Sequence, residues 1–199
     1  MSERLILASA SKSRARILTG AGIPFAAEAA DVDENAVKAA LKTKGASVED
    51  CAVALAEQKA RVVAARHPAA LVLGADQMLD CGGRWFDKPA DRAAAAAHLR
   101  ALSGRTHTLP TAIVAIADQK IVWRRVEHPK LTMRPLTEVF IADYLATAGD
   151  AVCSSVGAYQ LEGLGAQLFE RIEGDFFTIL GLPLLPLLAF LRARGIVAA

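Results

Sequence analysis

The apolar run Leu5-Ile6-Leu7 stops at the small residues Ala8 and Ser9, and a helical pattern opens at Lys12 and runs to Gly20 before Gly22 and Pro24 end it. A buried strand, a small-residue turn and a helix in direct succession constrain the fold more than any other stretch. The alternation then recurs. Ser47 with Asp50 forms a capping-box pattern, and the helix it opens runs to about His67, where Pro68 stops it. Leu71–Ala75 is a second buried strand, Cys81-Gly82-Gly83-Arg84 a hairpin turn, and Asp91 the cap of an Ala-rich helix to about Leu102. His107–Ala117 and Lys120–Thr132 read as two strands joined at Asp118-Gln119. Thr137 starts a helix to about Thr147, Val156–Gln160 and Leu168–Ile172 read as strands, and a last helix follows Pro183. Helices alternating with strands, plus an antiparallel hairpin, predict an α/β fold with a mixed β-sheet flanked by helices.

Composition narrows the function classes. With 199 residues, 53% of them hydrophobic, the chain can bury a core as one domain or as two lobes around a cleft. The net charge of +2, from 23 basic and 21 acidic residues, carries no nucleic-acid or membrane signal. Cys51, Cys81 and Cys153 are an odd number and lie far apart, which argues against a disulfide framework and fits a reducing compartment. Glu3 and the short apolar run after it do not make a signal peptide. Ile179–Leu191 carries Pro183 and Pro186 and is too short to span a bilayer. A cytoplasmic, soluble protein is expected.

Several segments could carry chemistry. In Leu7–Arg14, reading LASASKSR, Ser9, Ser11 and Ser13 supply hydroxyls and Lys12 and Arg14 positive charge at a helix start, where backbone N–H groups and the helix dipole favour anions. That combination points to a phosphorylated ligand; a Ser-capped helix with a basic turn is the plainer alternative. Asp76, in Gly74-Ala75-Asp76-Gln77, stands at a strand end, where α/β folds place their ligands, and could bind a metal ion or take a proton from water. Asp31-Val32-Asp33-Glu34 offers oxygen ligands for Mg²⁺, though by itself it reads as a solvated acidic loop. Lys88 precedes a helix, Lys59 sits mid-helix among alanines, and the glycines of Gly157–Ala166 suggest backbone passing close to a ligand.

Other classes drop out. Gly163 and Gly165 lack the third glycine and the strand–turn–helix setting of a dinucleotide fingerprint, and there is no Walker A sequence. No G-x-S-x-G elbow is present, and His67, His98, His107 and His128 show no metal-ligand spacing.

Taken in chain order, LASASKSR (7–14), DVDE (31–34), LAEQKA (55–60), GADQ (74–77), DKP (87–89), LSGRTH (102–107) and GAYQLEGLGAQLFERIEGDFFTILGLPL (157–184) resemble the successive motifs of the Maf family, the septum-formation-inhibitor-like nucleotide pyrophosphatases. The resemblance covers nearly all of residues 1–199 and implies a single domain of that kind. It implies a twisted mixed sheet between helices, similar to inosine triphosphatase, with two lobes around a cleft. It also implies a cytoplasmic, homodimeric enzyme that needs Mg²⁺ or Mn²⁺ and cuts a nucleoside triphosphate between its α- and β-phosphates. Carried over residue by residue, Asp76 becomes the general base and a metal ligand, Glu34 shares the metal, and Ser9, Arg14, Lys59 and Lys88 hold the triphosphate.

The family tunes base choice at positions that match Ser13, Gln77 and Glu162 here. The subgroup preferring dTTP and UTP carries Arg, Thr and Gln, and the subgroup preferring 7-methyl-GTP carries Trp, Gln and Glu. Two of the three residues resemble the second subgroup. A carboxylate at 162 can accept from guanine N1–H and its 2-amino group, whereas a pyrimidine offers one N–H. Ser13 replaces the Trp that would stack on a methylated base and removes its cation–π attraction. The lean is to guanine or 7-methyl-GTP, with dTTP, UTP or broad specificity open. A non-catalytic regulator of cell division and a phosphatase releasing a terminal phosphate are the other classes in play.

Overall fold

The structure, a computed structural model, describes residues 3–198. In chain order its regular elements are β1 (Arg4–Leu7), α1 (Lys12–Gly20), β2 (Ala26–Ala27), α2 (Glu34–Thr43), α3 (Val48–Ala64), β3 (Ala70–Gln77), β4 (Leu79–Cys81), β5 (Arg84–Phe86), α4 (Arg92–Leu102), β6 (Thr106–Thr108), β7 (Thr111–Ala117), β8 (Lys120–Glu127), β9 (Lys130–Met133), α5 (Glu138–Ala148), β10 (Phe169–Glu173), α6 (Phe176–Ile179) and α7 (Leu184–Ala193). Short 3-10 turns lie between α5 and β10. The elements fall into two compact units. One holds the chain up to Gln77, Thr111–Glu127 and the chain from Phe176 onwards; the other holds Met78–Pro110 and His128–Asp175.

The first unit contains the expected mixed sheet, ordered β2-β1-β3-β7-β8. β1 pairs in parallel with β2 and β3, while β3–β7 and β7–β8 are antiparallel. β3 is buried along its length except at Gln77, which is why its sequence is a continuous apolar run. Leu71, Leu73 and Ala75 join Ile113 and Ala115 of β7, Leu18 of α1 and Leu187 and Leu191 of α7 in one core. α3 begins at the predicted capping box: Ser47 Oγ accepts from Asp50 N–H at 3.0 Å, and Asp50 Oδ2 accepts from Ser47 N–H at 3.1 Å. α1 is capped by Ser11 and α4 by Asp91. Among the described residues no helix is long and apolar enough to cross a membrane.

The second unit is built on a sheet that was not foreseen, ordered β10-β9-β6-β4-β5. The two long strands expected over His107–Ala117 and Lys120–Thr132 are each cut in two, with one half in each sheet. The breaks fall at Leu109-Pro110 and His128-Pro129. Proline has no N–H to give the ladder and restrains the residue before it, so a continuous strand cannot run through either site. Val156–Gln160 is likewise not a strand. Val156–Ala158 forms a 3-10 turn with Gly157 at φ 79 and Ala158 at φ 64. Tertiary packing sets this shape, since a Cβ on Gly157 would come within 2.6 Å of the Tyr159 ring and 2.7 Å of Leu79.

Tyr159 and His107 form a buried polar pair in this unit, with Nε2 and the phenolic oxygen hydrogen-bonded at 2.7 Å. His107 is 1% exposed and its Nδ1 has no hydrogen-bond partner among the described residues. Burial pulls the imidazole from its ordinary 6.5 down to about 4. The fold therefore holds the neutral ring, while the unfolded chain binds a proton below pH 6.5. Stability from this group is complete above pH 6.5 and drains as pH falls towards 4, by about 3 kcal/mol in total. Urea midpoints at neutral pH and near pH 4.5 should differ more in the wild type than in His107→Gln. Equal differences would show that His107 does not set the acid limb.

Candidate active site

Successive side chains of β3 alternate between the two faces of the sheet. Leu71, Leu73 and Ala75 enter the core, while Gly74 and Asp76 face α3. A Cβ at Gly74 would lie 2.0 Å from the Ala56 carbonyl oxygen and 2.8 Å from Ala60 Cβ. Only glycine allows α3 to lie this close to the strand. Lys59 falls on the buried stripe of α3 with Leu55, Ala56, Ala60 and Val63. It is thus carried to the end of β3, where its Nζ donates to Asp76 Oδ1 at 2.6 Å.

The same ammonium lies 2.6 Å from Glu34 Oε1. The acidic segment, read as a solvated loop, is in fact a helix start. Asp33 caps α2 by accepting from Ala36 N–H at 2.9 Å, which leaves Glu34, the first helical residue, turned to Lys59. Asp31 is exposed. Two carboxylates from different elements therefore converge on one cation.

Burial has the largest effect on the Asp76 carboxyl and pushes its pKa above the usual carboxylate value; Lys59 and Arg14 pull it down, and Glu34 adds to the rise. Arg14 is 8% exposed. Burial lowers its pKa, against the pull of Asp76 and Glu34, yet a guanidinium stays charged in any such setting. Its Nη1 donates to Ser9 Oγ at 3.1 Å and its Nε to the Gly181 carbonyl at 2.8 Å. Ser9 Oγ also accepts from Ser11 N–H at 3.2 Å. A serine hydroxyl has two acceptor positions and one donor, so Ser9 has its proton to offer an anion. Gln77, on the opposite face from Asp76, points its Nε2 at Thr111 Oγ1, at 2.8 Å, and at the carbonyls of Thr178 and Ile179.

Ser9, Arg14, Glu34, Lys59, Asp76 and Gln77 thus all belong to the first unit, and all but Gln77 join one polar cluster. Ser13 is half-buried in the first turn of α1. Lys88 and Glu162 belong to the second unit, Lys88 exposed between β5 and α4 and Glu162 exposed in the turn before the 3-10 segment Leu164–Leu168. The close backbone approach at Gly165 is made by this chain itself, since a Cβ would lie 2.5 Å from the Gln160 carbonyl oxygen. The roles of Thr111, Thr178 and Gly181 were missed. Their only sequence signal is Gly181 before Leu182-Pro183, a turn mark that gives no partner.

Glu34 and Asp76 fit a hard divalent cation as two oxygen donors already aimed at one positive charge. No group of three or more His, Cys, Asp or Glu suited to a metal occurs among the described residues. Such a pair suits Mg²⁺ or Mn²⁺ with water and phosphate oxygens completing the shell.

A strand-end carboxylate, an ammonium and a buried guanidinium beside a capped helix start define a candidate anion-processing site on an α/β scaffold. The chain belongs to the Maf family: the Maf-like protein profile matches residues 4–194. The nucleoside triphosphate pyrophosphatase of Paramagnetospirillum magneticum is 57% identical over 96% of this chain and 98% of its own. The 7-methyl-GTP pyrophosphatase of Rhizobium etli is 55% identical, with 98% of each chain covered. A second protein of that name, from Rhizobium meliloti, is 53% identical over the whole of both chains. Among solved structures, a nucleoside-triphosphatase / dITP/XTP pyrophosphatase from Mycobacterium abscessus aligns with 96% of this chain and 94% of its own, at 18% identity and a TM-score of 0.42, too distant a likeness to carry a structural argument.

Proposed function

We propose that the protein is a divalent-metal-dependent nucleoside triphosphate pyrophosphatase that releases a nucleoside monophosphate and pyrophosphate. The observation that carries this is the convergence of Glu34 and Asp76 on Lys59, beside Arg14 and Ser9. The names of relatives more than half identical support the same reading.

Asp76 accepts the proton of the attacking water. Its burial favours the protonated form, which makes the ionised carboxylate a stronger base. The water oxygen adds on one side of the α–β anhydride, the bond to the bridging oxygen breaks, and pyrophosphate leaves with the electron pair. Lys59 keeps Asp76 and Glu34 oriented. Arg14 and the Ser9 hydroxyl face the negative charge that builds on the phosphates. Bound by Glu34 and Asp76, Mg²⁺ or Mn²⁺ would neutralise phosphate charge. Lys88 is assigned to the phosphates and Glu162 to the base, both by family resemblance.

Gln77 and Glu162 support a guanine preference, 7-methyl-GTP included, as do the relatives named for that substrate. The test is pyrophosphate release with Mg²⁺ or Mn²⁺ across canonical and modified triphosphates. GTP or 7-methyl-GTP should lead, and Glu162→Gln should reduce that lead by about tenfold to a hundredfold, the worth of a hydrogen bond to a charged group. A lead by dTTP or UTP overturns the base assignment. Orthophosphate as sole product overturns the reaction.

A further inference from the structure

We propose that Gln77 is a positioning residue for the triphosphate: it braces the Thr178–Gly181 turn, and that turn fixes the guanidinium of Arg14. The proposal rests on Ser9 and Arg14 holding phosphate.

The geometry is a chain of hydrogen bonds. Gln77 Nε2 donates at 3.0 Å to the Thr178 carbonyl and at 3.2 Å to that of Ile179. Two carbonyls can only face a donor, so the amide orientation follows from its partners. Thr111 Oγ1, 2.8 Å from the same nitrogen, itself donates to the Thr178 carbonyl at 3.4 Å. Thr111 and Thr178 are 0% and 1% exposed, so the brace is shielded from water. Beyond it, Gly181 N–H donates to the Thr178 carbonyl at 2.9 Å and Leu182 N–H to that of Phe177 at 3.1 Å, closing the turn. Gly181 sits at φ +105, which an L side chain rarely adopts. Its carbonyl accepts from Arg14 Nε at 2.8 Å, and Arg14 continues to Ser9 Oγ.

Gln77 thus ends β3 with its amide nitrogen engaged by its own fold. Asp76 serves the reacting centre from one face of the strand, and Gln77 supports Arg14 from the other. A change at residue 77 should therefore weaken the hold on the phosphates themselves, in addition to any effect it has on base choice.

The test uses a ligand with no base. Inorganic triphosphate is titrated calorimetrically, with Mg²⁺, into the wild type, Gln77→Met, Arg14→Ala and the double variant. Gln77→Met should bind it about tenfold more weakly than wild type, the worth of one ordinary hydrogen-bonding arrangement. In the Arg14→Ala background the same change should have no further effect, because both variants break one chain. A melting curve accompanies each protein. If Gln77→Met does not fold, Gly181→Ala strains the same turn from its far end and should reproduce both results. Wild-type affinity in Gln77→Met, or equal weakening in both backgrounds, overturns the brace. A wild type that binds no inorganic triphosphate overturns the phosphate site itself.

Discussion

Asp76→Asn should cut pyrophosphate release by about 10²–10⁴-fold, the span ascribed to a positioned general base, while the protein melts no lower than wild type. Both halves come from one fact. Asp76 is 5% exposed, and burial raises its pKa against the opposing pull of Lys59 and Arg14. A carboxyl whose folded pKa is raised is held more favourably protonated. The fold therefore loses stability as pH climbs through the titration, and at neutral pH the ionised group is a net cost to it. Asparagine keeps the shape, removes the charge and still offers an oxygen to Lys59 Nζ. On the proposed mechanism activity falls because the general base and the negative charge offered to the metal are lost together. Destabilisation tolerated at a functional centre is a recurring trade. The comparison needs pyrophosphate release with Mg²⁺ and a thermal melt without divalent cation. A folded Asp76→Asn with wild-type turnover would remove Asp76 from the chemistry. A variant that melts well below wild type would mean that the ionised pair with Lys59 stabilises the fold.

The sequence made the local devices legible. Asp91 caps the helix it was expected to cap, Ser47 with Asp50 forms its box, and the helices expected from Lys12 and Thr137 are present, capped by Ser11 and Thr137. Each is settled within a few residues, so no distant part of the chain is needed to read it. α1 matches its expected span, and the hairpin turn at Gly82-Gly83 joins β4 to β5. What stayed hidden was non-local. The division of two strands between two sheets depends on which partner each half finds, although Pro110 and Pro129 marked both breaks. α2 is hidden as long as Asp33 reads as a metal ligand, yet Asp33 ahead of Asn35-Ala36-Val37-Lys38-Ala39-Ala40 carries the signal of a capped helix. Within the site, Lys59 and Asp76 were recognisable by motif, but their 2.6 Å contact was not. It requires α3 to lie against β3, which follows from the size of one side chain.

That side chain is the missing one at Gly74. Gly74→Ala should destabilise the protein by about 3 kcal/mol or more, at or above the upper end for overpacking a core, and should lower activity in whatever fraction folds. The added Cβ meets the Ala56 carbonyl oxygen at 2.0 Å and Ala60 Cβ at 2.8 Å. A side-chain clash could be relieved by trimming the neighbour, but the nearer obstacle is backbone inside a helix. Ala60→Gly should therefore fail to rescue Gly74→Ala. The only relief is for α3 to move off β3, which draws Lys59 Nζ away from Asp76 and leaves a buried carboxylate without its cation. Gly20→Ala supplies the contrast, since a Cβ there meets nothing within 4 Å. Gly20 ends α1, where alanine is the better helix former, so that change should be neutral or slightly stabilising. Melting curves for the three variants decide the matter. If Ala60→Gly restores Gly74→Ala to near wild-type stability, the side-chain contact governs the packing and the backbone of α3 does not. If Gly74→Ala melts like wild type yet loses turnover, the glycine acts at the site and the spacing of helix and strand is set elsewhere.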